Sequence, residues 1–306
     1  MKKTSKPIVF FGTEDFSLGA LKSLVEAGFN IAAIVTKPDS PRGRGHKLTP
    51  PLVKTYALEH NIAVWQPTKL HDITDNIKKL TDPAGVLVSY GKIIPQSIID
   101  LFSPGIINVH PSLLPLYRGP SPIEAAILNG DHKTGVSIMQ LSAAMDAGPI
   151  YHQELFELRG NETGPALLDE LGAIGIKNLI DLLPAILDDN LTSQPQDSTA
   201  ATYCKLINKA DSIVDWHKPA VQLEREIRAY LGWPGSRATL GETDVIITSA
   251  TVLPQHTAAP GTITVDEQRL IVATSNGSLS PLTLKPFGKK EMPIRAFLAG
   301  YGSRLR

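Results

Sequence analysis

The sequence predicts an α/β fold, in which a Rossmann-like, mainly parallel sheet with helices on both faces is followed by a C-terminal β-barrel domain of the OB-like type. Two observations predict it. In the first half of the 306 residues, short apolar runs alternate with helical patterns, an order typical of parallel strands joined by crossover helices. Toward the C-terminus, short strand patterns separated by turn residues replace that order, as in a small barrel or sandwich.

The strands and helices of the first half differ in their apolar spacing. From Phe16 to Gly28, Leu18, Leu21 and Leu24 recur at helical spacing and share one face. A longer amphipathic helix is predicted from Thr163 to Leu187. The predicted strands are short aliphatic runs that end at Gly, Pro or polar residues. In order, they are PIVFFG, NIAAIVT, IAVWQP, GVLVSYG, GIINVH and TGVSIMQL.

A polar stretch separates the two kinds of pattern. Residues 188–204 contain few large apolar side chains and several Ser, Thr, Asp and Gln residues, which indicates a linker. We therefore expect an N-terminal α/β domain over residues 1–187 and a C-terminal β-barrel domain over residues 205–306. Within the second domain, Trp216 and Trp233 are predicted to belong to the core.

The composition excludes several classes of protein. The chain has 30 Lys and Arg against 30 Asp and Glu, so it is not a polycation as a whole. Its single cysteine, Cys204, excludes an internal disulfide and a cysteine-based metal site. No apolar run reaches the roughly 20 residues of a membrane helix, and no signal-peptide pattern is present. We expect a cytoplasmic protein with no metal and no membrane contact.

The loop after the first strand excludes the common nucleotide-binding motifs. Gly12 lies where such proteins carry Gly-x-Gly-x-x-Gly, but no second glycine follows two positions later. A phosphate-binding P-loop is also absent from the sequence. A dinucleotide-dependent dehydrogenase is therefore not expected.

Two polar residues interrupt the buried strand pattern GIINVH. Asn108 and His110 are two positions apart, so both side chains point to the same face of the strand. Pro111 ends the strand, and ligands of open parallel sheets bind beyond the carboxyl ends of the strands. This placement indicates a site with an amide donor and a titratable imidazole. The alternative is that both residues only cap the strand and bond to the loop backbone.

A carboxylate that could join this pair follows the next strand. Asp146 lies in the loop MDAGPI, where it could orient His110 or simply stabilise a turn. An amide, an imidazole and a carboxylate together suit acyl transfer to an amine. Asn108 and His110 would stabilise the developing oxyanion, and Asp146 would help to remove a proton from the attacking amine.

The segment from Gly105 to Ile150 resembles the signature of the folate-dependent formyltransferases. In that family the Asn-x-His pair and a later Asp are the catalytic trio, which corresponds here to Asn108, His110 and Asp146. The resemblance also implies that the SLLP stretch binds tetrahydrofolate and that 10-formyltetrahydrofolate is the co-substrate. The residues of that stretch are Ser112, Leu113, Leu114 and Pro115.

A basic loop resembles a segment found in the family members that act on methionyl initiator tRNA. It lies within Thr36 to Lys54 and has the pattern Pro-Asp, Gly-Arg-Gly and Pro. The resemblance implies that Arg44 contacts the acceptor stem, with Arg42 and Lys47 in support. From charge alone, an ordinary solvated loop is the alternative.

Two C-terminal segments also resemble that subgroup, namely REIRAYLGWPGSRA and LKPFGKKEMPIRAFLAG. The second contains Lys289 and Lys290, which could hold tRNA phosphates on a basic face of the barrel. A solvated surface is again the alternative. The matched motifs extend from Phe11 to Gly300, so the resemblance covers nearly the whole chain.

The resemblance implies transfer of a formyl group from 10-formyltetrahydrofolate to the α-amine of initiator methionyl-tRNA. We separately expect the protein to be a monomer. Its N-terminal domain would be catalytic and its C-terminal domain would bind tRNA. Two alternatives stay open: a folate-dependent formyltransferase that acts on an amino-sugar nucleotide, and a non-catalytic folate- or tRNA-binding protein. Leu116 and Pro120 depart from the family pattern beside the SLLP stretch and could alter substrate contacts there.

Overall fold

The structure is a computed structural model that describes residues 6–42, 47–254, 258–266 and 268–305. The helices are α1 Asp15–Glu26, α2 Leu52–Glu59, α3 Thr74–Lys78, α4 Gln96–Ile99, α5 Pro122–Asn129, α6 Gly164–Leu187, α7 Ala220–Ala229 and α8 Ile294–Tyr301. Short 3₁₀ helices cover Leu70–Ile73, Ser198–Ala200, Lys209–Ser212 and Gly302–Arg304. None of the helices in these ranges is long and apolar enough to cross a membrane.

Fifteen strands are formed by the described residues. The first nine are β1 Ile8–Phe11, β2 Ile31–Val35, β3 Ser40–Arg42, β4 Lys47–Thr49, β5 Ala63–Trp65, β6 Ala84–Leu87, β7 Ile106–His110, β8 Lys133–Gln140 and β9 Ile150–Glu157. The remaining six are β10 Ser236–Leu240, β11 Thr243–Leu253, β12 Ile263–Asp266, β13 Arg269–Ala273, β14 Ser278–Pro286 and β15 Met292–Pro293.

The larger sheet has seven strands in the order β5-β2-β1-β6-β7-β8-β9. The first five strands in that order pair in parallel, and β8 joins β7 in the antiparallel direction. The central strands β1 and β7 are buried from end to end, whereas the edge strands β5 and β9 are partly exposed. This arrangement confirms the predicted mainly parallel α/β sheet.

Helices cover both faces of this sheet. Alternate side chains of each strand point to opposite faces, so neighbouring residues of one strand pack against different helices. Phe11 and Ile106 pack on one face in a cluster that includes Ile77 of α3 and Ile98 of α4. Val109 points to the other face, where Gly175 of α6 packs so closely that a side-chain Cβ there would lie 2.5 Å from the valine. Asn108 and His110 alternate with Val109 and therefore share the face of Ile106.

The C-terminal strands form a second, antiparallel sheet in the order β10-β11-β14-β13-β12, with β15 paired to β14. Its core contains Leu223 and Ile227 of α7 and Phe297 of α8. Trp216 packs against this core, as predicted. Trp233 does not, because it is 56% exposed in a turn after α7. The C-terminal β domain predicted from the sequence is confirmed.

The chain forms two compact units. One contains the residues up to Pro120, Thr134–Phe156 and Glu170–Tyr203. The other contains Ser121–Lys133, Glu157–Asp169 and the residues from Cys204. The domain boundaries at 187 and 204 stay a prediction. Most of the predicted linker belongs to the first unit, where it makes specific contacts with the loops after β7 and β8.

Candidate functional site

The end of β7 places Asn108 and His110 in the interior of the first unit. Asn108 lies opposite Leu87 of β6 and Met139 of β8, and His110 lies opposite Ser137 of β8. Both polar residues are only 5% exposed. A polar pair so deeply buried needs partners of its own, since unpartnered polar groups in the interior are costly.

The imidazole of His110 has a protein neighbour at each nitrogen. Nε2 lies 3.0 Å from the carbonyl oxygen of Tyr117. Nδ1 lies 3.8 Å from Oδ1 of Asp146. A carbonyl oxygen can only accept, so Nε2 carries a proton and donates it to Tyr117. A second proton, on Nδ1, would make an imidazolium that faces the carboxylate.

Asp146 is held in a defined orientation by its own loop and by a neighbouring one. Its backbone has a φ of 46°, in the left-handed region that Asp tolerates better than most residues. The backbone N–H of Gly119 donates to Oδ2 at 2.8 Å. Oδ1 is thereby left to face His110, and the structure brings Asn108, His110 and Asp146 to one end of the sheet.

The stretch from Ser112 to Pro115 is fixed by hydrogen bonds on both sides. Ser112 Oγ donates to the carbonyl oxygen of Leu116 at 2.6 Å. Leu114 N–H donates to Ser137 Oγ at 3.1 Å, and Ser137 Oγ donates to the carbonyl oxygen of Ser112 at 2.7 Å. Ser112 and Leu114 are buried, whereas Leu113 and Pro115 are partly exposed. The loop therefore presents a rigid edge of backbone beside the catalytic candidates.

Sequence reasoning missed two residues that contact this site. Gln196 Nε2 donates to the carbonyl oxygens of Asp146 and Gly148, both at 2.7 Å. Arg118, which is 3% exposed, donates to Gln196 Oε1 through Nε at 3.0 Å and Nη2 at 2.7 Å. Gln196 lies in the polar stretch that predicted a linker. No local signal marked it, because its partners are distant in sequence.

The predicted basic loop forms a short antiparallel hairpin in its described part. Strands β3 and β4 pair Arg42 with Lys47 at the end nearest residues 43–46. Their backbones are described, but Arg44 lies outside the described residues. The sequence predicted a basic loop here and gave no sign of these two strands, because three paired positions are too few to show a strand period.

Asp39 anchors the base of this hairpin. Its carboxylate accepts hydrogen bonds from Lys54 Nζ at 2.8 and 2.9 Å and from Gln66 Nε2 at 2.8 Å. Gln66 Nε2 also donates to the carbonyl oxygen of Lys37 at 2.8 Å. The hydrogen bond from Lys54, followed by that from Gln66, lowers the pKa of Asp39 below its ordinary 3.8. The negative charge of Asp39 is thus engaged by Lys54.

Lys289 and Lys290 lie in an exposed turn between β14 and β15 of the second unit. Lys289 lines an open groove of about 580 Å³ together with the exposed ring of Phe287. Arg304, at the same groove, lies over the ring of Tyr301 at 5.7 Å from its centroid. Glu242 and Asp244 also line the groove, so its charge is mixed.

The first unit combines a buried amide, an imidazole and a carboxylate beside a rigid loop. These groups can stabilise a developing oxyanion and accept a proton, which is what acyl transfer to an amine requires. In the part of the chain that the structure describes, no group of three His, Cys, Asp or Glu side chains is placed to hold a metal ion.

Two family models match this chain and together cover most of it. The model described as formyl transferase matches residues 6–182. The model described as formyl transferase, C-terminal domain, matches residues 206–302. The chain therefore has both parts of a two-part enzyme family that transfers formyl groups.

Solved structures share this fold at low sequence identity. An N-formyltransferase from Helicobacter canadensis, in complex with folinic acid and dTDP-3-aminofucose, aligns with a TM-score of 0.68 and 16% identity, over 93% of this chain and all of its own. HypX from Aquifex aeolicus, in complex with tetrahydrofolic acid, aligns with a TM-score of 0.65 and 15% identity, over 97% of this chain and 48% of its own. Identities this low establish the fold alone.

Relatives with much higher identity extend over nearly the whole chain. A methionyl-tRNA formyltransferase from Methylococcus capsulatus is 38% identical over 97% of this chain and 99% of its own length. One from Chloroflexus aurantiacus is 39% identical over 96% of both chains. The similarity includes both matched parts and covers nearly the full length of this chain and of each relative. This chain therefore belongs to the methionyl-tRNA formyltransferase family.

Proposed function

We propose that this protein transfers a formyl group from 10-formyltetrahydrofolate to the α-amine of methionyl initiator tRNA, and that Asn108, His110 and Asp146 carry out the transfer. The observation that carries the proposal is the pairing of His110 with Asp146 at the end of β7, with Asn108 buried on the same strand, in a chain whose relatives are named for this reaction. When bound, the folate supplies an activated formyl carbon for attack by the amine.

The chemistry needs a donor for the oxyanion and an acceptor for a proton. The amine must be neutral to attack the formyl carbon, the carbonyl oxygen gains negative charge, and the bond from carbon to N10 of the folate then breaks. Asn108 donates its side-chain N–H to the developing oxyanion. Asp146 helps to take the proton that the amine loses, and the departing N10 must gain one.

The contacts of His110 limit how it can act. Because Nε2–H is engaged by Tyr117, Nδ1 is the nitrogen that remains for chemistry. Nδ1 lies 3.8 Å from Oδ1 of Asp146. This nitrogen is proposed to face the developing oxyanion, and Asp146 is proposed to orient the ring.

The folate is proposed to lie against the stretch from Ser112 to Pro115. Hydrogen bonds within the protein fix this stretch and already engage most of its backbone groups. Ser112 and Leu114 are buried, so the partly exposed side chains of Leu113 and Pro115 would make the contacts. A preformed edge of this kind limits the ordering cost of binding.

Two basic regions are proposed to bind the tRNA phosphates. One is the β3–β4 hairpin with Arg42, Lys47 and the intervening Arg44. The other is the turn with Lys289 and Lys290, where Phe287 offers an exposed ring beside the cations. Cations next to aromatic rings are a common arrangement for binding nucleic acids.

The first experiment measures formyl transfer from 10-formyltetrahydrofolate to three acceptors: methionyl initiator tRNA, methionyl elongator tRNA and free methionine. We expect transfer to the initiator alone, with a KM that rises steeply with salt because the tRNA releases counterions on binding. Transfer to none of the three, with folate still bound, would contradict the proposal. An amino-sugar nucleotide would then be the acceptor to try, and folate binding with no acceptor at all would indicate a binding protein.

Replacing Asp39 by asparagine should raise the KM for tRNA several-fold and leave kcat nearly unchanged. The substitution removes the ion pair with Lys54 that anchors the hairpin base. Because the pKa of Asp39 is lowered, the ionised anchor is fully present above pH 3.8 and is lost only as the pH falls below that value. The effect should therefore be constant across neutral pH, as measured by initial rates at varied tRNA.

Asp75→Asn is the matched control, since it removes the same charge from an exposed position in the first turn of α3. Removal of a negative charge alone should leave tRNA binding unchanged or slightly stronger. If Asp39→Asn also strengthened binding, the anchor would have no role in holding the hairpin.

A further inference from the structure

The polar segment from Gln194 to Tyr203, here called the strap, is bonded to the loops of the site at several points. Gln194 exchanges two backbone hydrogen bonds with Ile150, both of 2.8 Å. Thr202 accepts from Arg118 N–H at 2.9 Å and donates its own N–H to the carbonyl oxygen of Pro115 at 3.2 Å. The Thr202 hydroxyl accepts from Tyr117 N–H at 2.9 Å. The strap is therefore an ordered part of the first unit.

Gln196 joins two site loops through its side-chain amide. Its Nε2 donates to the carbonyl oxygens of Asp146 and Gly148, and its Oε1 accepts both bonds from the guanidinium of Arg118. An amide has two N–H donors and one oxygen with two lone pairs. Every one of these groups has a partner here, which fixes the amide on both sides.

The two loops that Gln196 joins also orient His110 and Asp146. The first loop supplies the carbonyl oxygen of Tyr117 to His110 and the N–H of Gly119 to Asp146, and Arg118 lies between those two residues. The second loop contains Asp146 itself. A shift of either loop would therefore change the distance between Nδ1 of the histidine and Oδ1 of the aspartate.

The backbone of Asp146 has a specific need for this support. Its left-handed φ of 46° is intrinsically less stable than ordinary helical or extended conformations. The bond from Gln196 fixes the carbonyl of this residue, while the bond from Gly119 fixes one carboxylate oxygen. With its backbone carbonyl and Oδ2 both held, Asp146 keeps Oδ1 directed at His110.

We propose that Gln196 is a positioning residue for formyl transfer, which holds Asp146 in register with His110 by bonding the Asp146 loop to Arg118. The inference rests on the proposed function, in which Asp146 takes part in the chemistry. Glutamine suits the position because it offers donors to two carbonyl oxygens and an acceptor to a guanidinium. A glutamate would keep the acceptor and lose both donors.

The test compares Gln196→Glu with Gln194→Glu. The first variant keeps a partner for Arg118 but directs carboxylate oxygens at the carbonyls of Asp146 and Gly148. The second makes the same chemical change on the exposed side chain of Gln194, which bonds to Ile150 through its backbone. We expect Gln196→Glu to lower kcat by about 10–100-fold, with KM for folate and tRNA within about twofold, and Gln194→Glu to behave as wild type.

A merely structural role would give a different result. It would lower the fraction of folded enzyme, so kcat would fall in proportion to the capacity to bind 5-formyltetrahydrofolate, measured by calorimetry. We expect that capacity to persist in Gln196→Glu. The uncharged variant Gln196→Leu, which removes donors and acceptor together, should show the same loss of kcat per folate site.

The outcomes separate this inference from the proposed function. If wild type formylates the tRNA, Asp146→Asn does not, and Gln196→Glu keeps kcat within about twofold, then Gln196 does not position Asp146 although the function stands. A loss confined to folate-binding capacity overturns the inference as well. If wild type formylates no acceptor, the proposed function fails and this inference fails with it.

Discussion

Replacement of Asp146 by asparagine is expected to lower kcat by about 10²–10⁴-fold, the range for loss of a general acid or base. Asparagine has nearly the same shape, and its oxygen can still accept from Gly119 N–H. It carries no charge, however, so it cannot take the proton that the amine loses. Single-turnover transfer with saturating folate and tRNA measures the chemical step directly.

The KM values should change little, because Asp146 is assigned to chemistry rather than to substrate binding. Asp181→Asn is the control, since it removes a carboxylate from an exposed ion pair with Lys177. Near-normal turnover by Asp146→Asn would mean that the carboxylate only shapes its loop. The proposed mechanism would then be wrong, although the proposed substrates would not be affected by this result.

Replacement of Asn108 by alanine should lower kcat by about 10²–10³-fold, the usual cost of losing one oxyanion donor. Asn108 shares its strand face with His110 and is buried at the end of β7, so its amide can donate where water is excluded. The loss should appear in kcat, since charge on the carbonyl oxygen develops only as the amine attacks. The measurement is again single-turnover transfer.

Asn190→Ala, at an exposed position after α6, provides the control for this variant. If Asn108→Ala raised the KM for folate and left kcat unchanged, the amide would instead bind the substrate in its ground state. The oxyanion role would then have to be assigned to another donor. Comparing kcat with KM thus decides between two uses of the same side chain.

Local patterns in the sequence were enough to predict β1, β2 and β5 to β8 and the shared face of Asn108 and His110, but not β3, β4 or β9. The period of two in a strand is a local property, so Ile106, Asn108 and His110 could be assigned to one face without any knowledge of their neighbours. The carboxyl end of a parallel strand is also a general place for a site. The fold class followed from the alternation of strand and helix patterns.

The contacts among distant residues were decided by the tertiary structure. A polar residue that bonds to a distant loop has no period and no apolar signal, so Gln196 looked like part of a linker although it is bonded to a residue 50 positions away. Asp39 likewise has partners that no local pattern marked, since Lys54 and Gln66 lie 15 and 27 positions away in the sequence. Trp233 looked like a core residue on composition alone.

The sequence by itself therefore determined which side chains of β7 face the site and the α/β class that places them at a strand end. Only the tertiary structure decided how the carboxylate of Asp146 is oriented toward His110, and which residues hold Asp146 in place. The physical reason is that burial repeats along the chain at short, regular spacing, while hydrogen-bond partners are chosen by the folded positions of loops. For Asp146 those partners are Gly119 and Gln196.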